Sequence, residues 1–301
     1  MLGLLIESDE WSDRHLAEEL ERQGFGVDAI DMVAPDAESR ALACDCLANR
    51  VFASAYERGH EASVEALRAL LPEVEARGIP MVNPPAAFAF ETSKDLAGRV
   101  AAVAGVPVPA TYALAPAAEI AAHAAAEPDG RACDAWAPGL RYPAILKPDC
   151  GGRGADTYVV HDAGELRRAA EATPSALLML LQEYVAPELG FLTRIELVDG
   201  RAALVLKRSI GADGLSGYHH GSTYERYPDV PAAVTEAARR AAEALSFVVG
   251  SFDVIETRRG FWFIDFNSQS NVSEDCDELY GMDLMAEHAA CMARRLRGHG
   301  A

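Results

Sequence analysis

Asp253, Asp265 and Asn267 are the residues whose types and spacing speak most directly of chemistry. They lie in GSFDVIETRRGFWFIDFNSQS, which reads as a β-hairpin turning near Arg258 and Arg259. An antiparallel pairing about that turn sets Asp253 opposite roughly Asp265. Asp265 and Asn267 are two apart and share one face of their strand. Two carboxylates side by side repel unless something positive lies between them. Hard oxygen donors suit Mg²⁺, which takes one or two carboxylates and completes its shell with phosphate oxygens and water. The alternative is a solvated polar face, although Phe261, Trp262, Phe263, Ile264 and Phe266 leave little of one elsewhere in the hairpin.

Lys147 ends the apolar strand YPAILKP and is followed by DCGGRGAD. Gly151, Gly152 and Gly154 permit close approach of backbone amides to a phosphate, and Arg153 adds charge. An ordinary hairpin turn with a surface lysine is the alternative. Gln182, Glu183, Tyr184 and Val185 follow a second apolar strand, where backbone groups leaving the sheet can read an adenine edge. Arg194, Lys207 and Arg208 gather on either side of an Asp199-Gly200 turn, with Arg194 opposite Lys207 or one step away. Positive charge concentrated in an acidic chain suggests a local anion site, or else plain surface charge.

The elements that must position these groups alternate at first between strand and helix. LGLLIES, VDAIDM, ALACDCLANRVFAS and IPMVN read as strands, and DRHLAEELERQGF and SVEALRALLPEVEARG as helices. That alternation predicts a parallel, Rossmann-like sheet, but no GxGxxG follows the first strand, so no dinucleotide site is expected there. Residues 86–105 read as one helix, and the stretch from Pro116 to Tyr142 as a helix and an exposed loop. From Tyr142 the texture changes to hairpins and single helices, ending in the helix MDLMAEHAACMARRL.

The composition narrows the class. The 301 residues suit two or three lobes. The formal charge of −19 disfavours nucleic acid as a main partner. No apolar run approaches the ~18 residues of a membrane span. The start MLGLLIESDEWSD has no basic flank and reads as a buried strand, so a cytoplasmic protein with no membrane contact is expected. Cysteines at 44, 46, 133, 150, 276 and 291 lack paired CxxC spacing and are expected as reduced thiols.

Taken in order, these segments resemble the ATP-grasp superfamily and, within it, the RimK-like glutamate ligases. The resemblance rests on Asn49-Arg50, Val82-Asn83, TSKDLAGRVAAVAGVPVPAT, YPAILKP with its glycine loop, LQEYV, Arg194, the Lys207-Arg208 pair and D-x(11)-D-x-N. It spans about residues 45–290. It implies a Rossmann-like pre-ATP-grasp lobe over 1–88, a lid and central subdomain over 89–180, and a C-terminal subdomain over 181–301, the last two with mixed or antiparallel sheets. ATP and Mg²⁺, or Mn²⁺, are the implied cofactors. Lys94 and Lys147 would contact the phosphates, with the 151–154 loop as a lid. Glu183 and Val185 would face adenine, with Gln182 beside them and Glu188 at the ribose. Arg194 and Arg208 would stabilise the reacting groups together with Lys147, and Asp253, Asp265 and Asn267 would hold metal. Asn49 and Arg50 would lie where the first lobe reaches the substrate.

The chain also departs from the family pattern. Asp265 stands where the family has Glu, Leu192 where Asp is common, Pro187 where an acid binds ribose, and Gly217 where Asn precedes the retained His219 and Gly221. SQSNVSEDCDE replaces a proline-glycine turn. Its acids, Glu274, Asp275, Asp277 and Glu278, read either as a receptor for a cationic amine or as a solvated loop.

The activity implied is amide formation between a small-molecule carboxylate and an amine through an acyl phosphate, for example adding glutamate to a small molecule, cofactor precursor or peptide. A dipeptide or peptide-tailoring ligase, and a nucleotide-binding protein without turnover, are the alternatives. Homo-oligomers are common in the family, although no interface is legible here. The spatial expectation is that Lys147 and Asp265 face each other across a cleft.

Overall fold

The computed structural model describes residues 1–126, 136–211, 222–274 and 276–298. The first sheet is built from β1 (Leu2–Ile6), β2 (Val27–Asp31), β3 (Cys46–Arg50) and β4 (Met81–Val82), in the order β2-β1-β3-β4. Every pairing in it is parallel, as the strand–helix alternation predicts. LGLLI is continuously apolar because a parallel strand is covered on both faces. The segment read as a third strand is extended only over β3: it begins at the last residue of a short helix, α2 (Ala37–Ala41), passes through a turn, and runs after β3 into a 3-10 helix over Ala53–Arg58. Helices α1 (Trp11–Arg22) and α3 (Glu61–Arg77) flank this sheet.

The helix expected over 86–105 is two helices, α4 (Ala87–Glu91) and α5 (Lys94–Val103). Ser93 makes the break: its hydroxyl accepts the Leu96 N–H at 3.2 Å and caps α5, which puts Lys94 at the helix start. Ala97 and Ala101 of α5 then pack into the core of the last sheet.

A second sheet has the order β5-β8-β6-β7, from Thr111–Pro116 (β5), Ala144–Pro148 (β6), Tyr158–Val160 (β7) and Leu178–Glu183 (β8), all antiparallel. Helices α6 (Ala117–Ala125) and α7 (Ala163–Ala172) cover it. The third sheet has the order β11-β10-β9-β12-β13. Its strands are β9 (Phe191–Val198), β10 (Arg201–Ser209), β11 (Tyr224–Arg226), β12 (Val249–Thr257) and β13 (Gly260–Asn267). The β9–β10 hairpin turns at Asp199 and Gly200, both with positive φ (56° and 68°), the conformation that this residue pair favours. Helix α8 (Ala232–Ala244) lays its alanine face and Val234 against the sheet.

After α9 (Cys276–Tyr280), the last helix, α10 (Leu284–Arg297), returns to the first sheet. Leu284, Met285, Ala289 and Met292 share a core with Leu2, Leu4, Leu16 and Leu20. Asn83 ties the same two regions. Its Nδ2 donates to the carbonyls of Val249 and Ser268, at 2.9 and 2.6 Å, and its Oδ1 accepts the N–H groups of Val248 and Val249. Among the described residues, no helix is long and apolar enough to cross a membrane. Cys44, Cys46, Cys150 and Cys291 are free thiols, while Cys133 and the Cys276 side chain lie outside the described residues.

Candidate active site

The β12–β13 ladder pairs Asp253 directly with Asp265. A β-bulge makes this possible. The register near the turn pairs Thr257 with Gly260 and Val254 with Phe263, and Ile264 is the extra residue before Asp265. Without it Asp253 would face Ile264, and Asp265 would point through the opposite face of the sheet. The bulge also aims the Ile264 carbonyl at Lys147, whose Nζ donates to it at 3.0 Å. Lys147 and Asp265 thus meet across a cleft of about 650 Å³ between the second and third sheets.

Lys94 joins them. Its Nζ lies 3.6 Å from Asp265 Oδ1 and donates to the Gly151 carbonyl at 2.5 Å. Both lysines are largely withdrawn from solvent, but their environments differ. Burial pulls Lys147 down to about 8, with Lys94 adding to the effect and Asp265 opposing it. Burial also works against Lys94, yet Asp265 and the acidic groups around it hold that ammonium above its ordinary value. Asn267 Nδ2 lies 3.4 Å from Asp265 Oδ2, so these two residues form one polar edge of the cleft.

Asp253 has a different set of neighbours. It pairs with Arg194 across the β9–β12 ladder, and Arg208 is diagonal to Arg194 on β10. Arg194 Nη1 reaches Asp253 Oδ1 at 3.2 Å and Arg208 Nη2 reaches Oδ2 at 2.8 Å. Burial would raise the Asp253 carboxyl, but Arg208 and Arg194 outweigh it and hold it below the usual carboxylate range. Arg194 also donates from Nε to Glu196 at 2.8 Å. Glu196, two residues along β9, shares its face. The third basic residue, Lys207, pairs with Thr193 and faces away, its ammonium over the rings of Phe191 and Tyr227.

Gly151, Gly152, Arg153 and Gly154 all line the cleft, as do Gln182, Glu183, Tyr184 and Val185. The Gly152 N–H donates to Glu57 Oε1 at 2.7 Å, which docks the glycine loop on the first lobe. A Cβ at Gly152 would come within 2.9 Å of Ser54 Cβ, so the approach requires glycine there. The Glu183 N–H is engaged by the Ala110 carbonyl at 2.8 Å.

Several expected residues stand elsewhere. Glu188 is exposed, accepts the Arg258 N–H at 3.3 Å and does not line the cleft, although Pro187 just before it does. Arg50 is fully buried, bonding Asp13, Ser12 and the Ser270 carbonyl, and Asn49 bonds the backbone of Val51. Both are tied up in the framework behind the cleft. Glu274 and Glu278 are exposed and outside the lining. Asp275, the Asp277 side chain, Gly217, His219 and Gly221 lie outside the described residues.

Glu57, Glu196 and Gln269 were not anticipated. A period of two along the strands is the signal for the last two, continuing from Arg194 to Glu196 and from Asp265 and Asn267 to Gln269. No local signal marks Glu57, whose partner is 95 residues away.

Residues 131–292 match the model of the RimK-like ATP-grasp domain. This chain belongs to the RimK-like ATP-grasp family, and with it to the ATP-dependent ligases. No curated protein matches the sequence. Solved structures resemble it in fold along nearly its whole length. A RimK-domain ATP-grasp protein from Sphaerobacter thermophilus DSM 20745 is 20% identical, with a TM-score of 0.66 over 97% of this chain and 98% of that one. A D-alanine–D-alanine ligase from Bacillus anthracis is 14% identical, with a TM-score of 0.71 over 99% of each chain. The ATP-grasp ligase PsnB, solved with a minimal precursor, is 16% identical, with a TM-score of 0.65 over 98% of this chain and 99% of that one.

Proposed function

We propose that this protein joins a carboxylate to an amine at the expense of ATP, through an acyl phosphate, with an amino acid such as glutamate as one substrate. The observation that carries the reading is the meeting of Lys94 and Lys147 with Asp265 and Asn267 in one cleft, with Arg194 and Arg208 beside them. Lys94, Lys147 and the amides of the 151–154 loop bind the triphosphate, and the 182–185 segment orients the adenine. The substrate carboxylate attacks the γ-phosphorus and ADP leaves. The amine then attacks the acyl carbon, loses a proton and displaces phosphate. Arg194 and Arg208 stabilise the negative charge that accumulates on the transferred and departing oxygens. The glycine loop excludes water, which would hydrolyse the acyl phosphate.

The donor set fits a hard divalent cation: two carboxylates facing across a ladder, with the Asn267 side-chain amide, whose Oδ1 can serve as a ligand, beside one of them. Asp265 and Asn267 would hold Mg²⁺ or Mn²⁺, with Asp253 next to them still bound to its two arginines. When bound, the ion supplies charge neutralisation at the phosphates.

The test is ADP release with ATP, Mg²⁺ and mixed amino acids and amine acceptors. Wild type is expected to turn over with at least one pairing. Asp265→Asn is expected to lose about 100-fold or more in ADP release while keeping its circular-dichroism spectrum, in line with the loss of one electrostatic stabiliser. No ADP from wild type under any pairing would overturn the ligase reading, and full turnover by the variant would overturn the metal assignment.

A further inference from the structure

Gln269 has an environment unlike that of the residues around it. The segment after β13 is held by hydrogen bonds at nearly every position. The Ser268 N–H donates to Glu91, and the Ser270 hydroxyl to Glu196. The Ser270 carbonyl accepts from Arg50, and Asn271 bonds both Ser12 and Glu10. The backbone carbonyl of Gln269 accepts from Ser251. The residue is 2% exposed, yet neither Oε1 nor Nε2 has a hydrogen-bond partner among the described residues. A buried amide left unmatched is destabilising, so such a group calls for an explanation. Gln269 lines the cleft together with Asp265 and Asn267, in the bend that follows the end of β13.

The charges near this end of the cleft are already balanced. Arg58 pairs with Glu7 and Glu10, and Arg50 with Asp13. Arg194 and Arg208 pair with Asp253, and Arg194 also with Glu196. A charged group set against Gln269 would therefore find no unmatched counter-charge among these residues. A neutral group with a donor and an acceptor side by side would match both atoms of the amide. Leu192 and Trp11, which also line the cleft, offer apolar surface to the remainder of such a ligand.

We propose that Gln269 is a specificity-determining residue that recognises a carboxamide on the substrate, accepting its N–H at Oε1 and donating to its carbonyl from Nε2. The substrate class is then an amide-bearing one, a peptide or an amino-acid amide, and not a free zwitterionic amino acid at this subsite. The inference rests on the ligase reading for the identity of the site, but its test does not require turnover.

The experiment is calorimetric titration of wild type and Gln269→Met with N-acetyl-L-alaninamide, with and without AMP-PNP and Mg²⁺. Methyl 2-acetoxypropanoate, which keeps both carbonyls but has no N–H, and L-alanine serve as comparison ligands. Wild type is expected to bind the amide at least tenfold more tightly than either, because a buried polar group rejects a ligand that cannot pair with it. Gln269→Met is expected to weaken the amide at least tenfold. Gln269→Glu, which keeps the shape and replaces the donor with a charge, should weaken it comparably. Equal binding of the amide to wild type and either folded variant, tighter binding of L-alanine, or no binding of the amide to wild type overturns the proposal. The AMP-PNP titration stands apart from these outcomes. Tight nucleotide binding with an indifferent Gln269 sinks this inference alone, whereas absence of nucleotide binding sinks the ligase reading.

Discussion

With a pKa lowered to about 8 by burial, Lys147 is close to half-neutral at that pH in the free protein. A triphosphate beside it favours the ammonium. Binding therefore draws in a proton, and nucleotide affinity declines as pH rises through about 8. Titrating AMP-PNP at pH 8 in buffers of different ionisation enthalpy should show an uptake of about half a proton, since the free group sits near its midpoint. Lys147→Met should abolish that uptake and weaken binding. Uptake unchanged in the variant would place the titrating group elsewhere. The place of Lys147 at the end of an apolar strand before a glycine-rich turn was legible, while the motif alone left a phosphate contact and an ordinary hairpin lysine both open. Its meeting with Asp265, 118 positions on, and with Lys94, 53 positions before, was expected from the resemblance of the ordered motifs and not from any local pattern. The same limit applies to Asp253. Its spacing to Asp265 was visible, but its engagement with two arginines follows from strand order β10-β9-β12, which no local pattern displays.

Among the elements, the β12–β13 hairpin was read correctly from its turn and alternation, and the bulge at Ile264 was not. Bulges leave no compositional mark in an aromatic run such as FWFIDF, and this one decides which face Asp265 presents. The break between α4 and α5 had a visible cause in Ser93, but the alanine-rich sequence on both sides masks it. The glycine loop carries its own consequence. Glu57 occupies the Gly152 N–H, and under the proposed function, in which the loop amides bind the triphosphate, carboxylate and nucleotide compete for that one donor. Glu57→Ala removes a competing bond of about 1 kcal/mol and should tighten AMP-PNP binding roughly fivefold. It should also make the loop more susceptible to limited proteolysis, since a lid released from the first lobe opens more often. Weaker nucleotide binding in Glu57→Ala would mean that the contact holds the loop in its productive position instead.

For the whole molecule, sequence order and spatial assembly diverge at the end of the chain. The parallel first sheet was expected from strand–helix alternation, and mixed or antiparallel sheets after it from the resemblance. That α10 leaves the C-terminal sheet to complete the core around α1 was not, because an amphipathic helix shows that it buries a face and not against which partner. Asn83 is the corresponding polar tie. Visible in the sequence only as part of a Val-Asn pair, it binds the backbone of Val248, Val249 and Ser268 through both ends of its amide. Replacing it with leucine preserves volume but strands buried backbone donors and acceptors, each worth roughly 1–3 kcal/mol. With partial relaxation the expected cost is about 3–5 kcal/mol, read from the midpoint of urea unfolding with an unchanged m-value. Because Ser268 follows Asn267 directly, the same variant should weaken Mg²⁺-dependent AMP-PNP binding, although Asn83 does not line the cleft. Asn83→Asp keeps two acceptors and loses both donors, so it should fall between wild type and leucine if hydrogen bonding sets the cost. An aspartate variant worse than leucine would show that a buried charge dominates there.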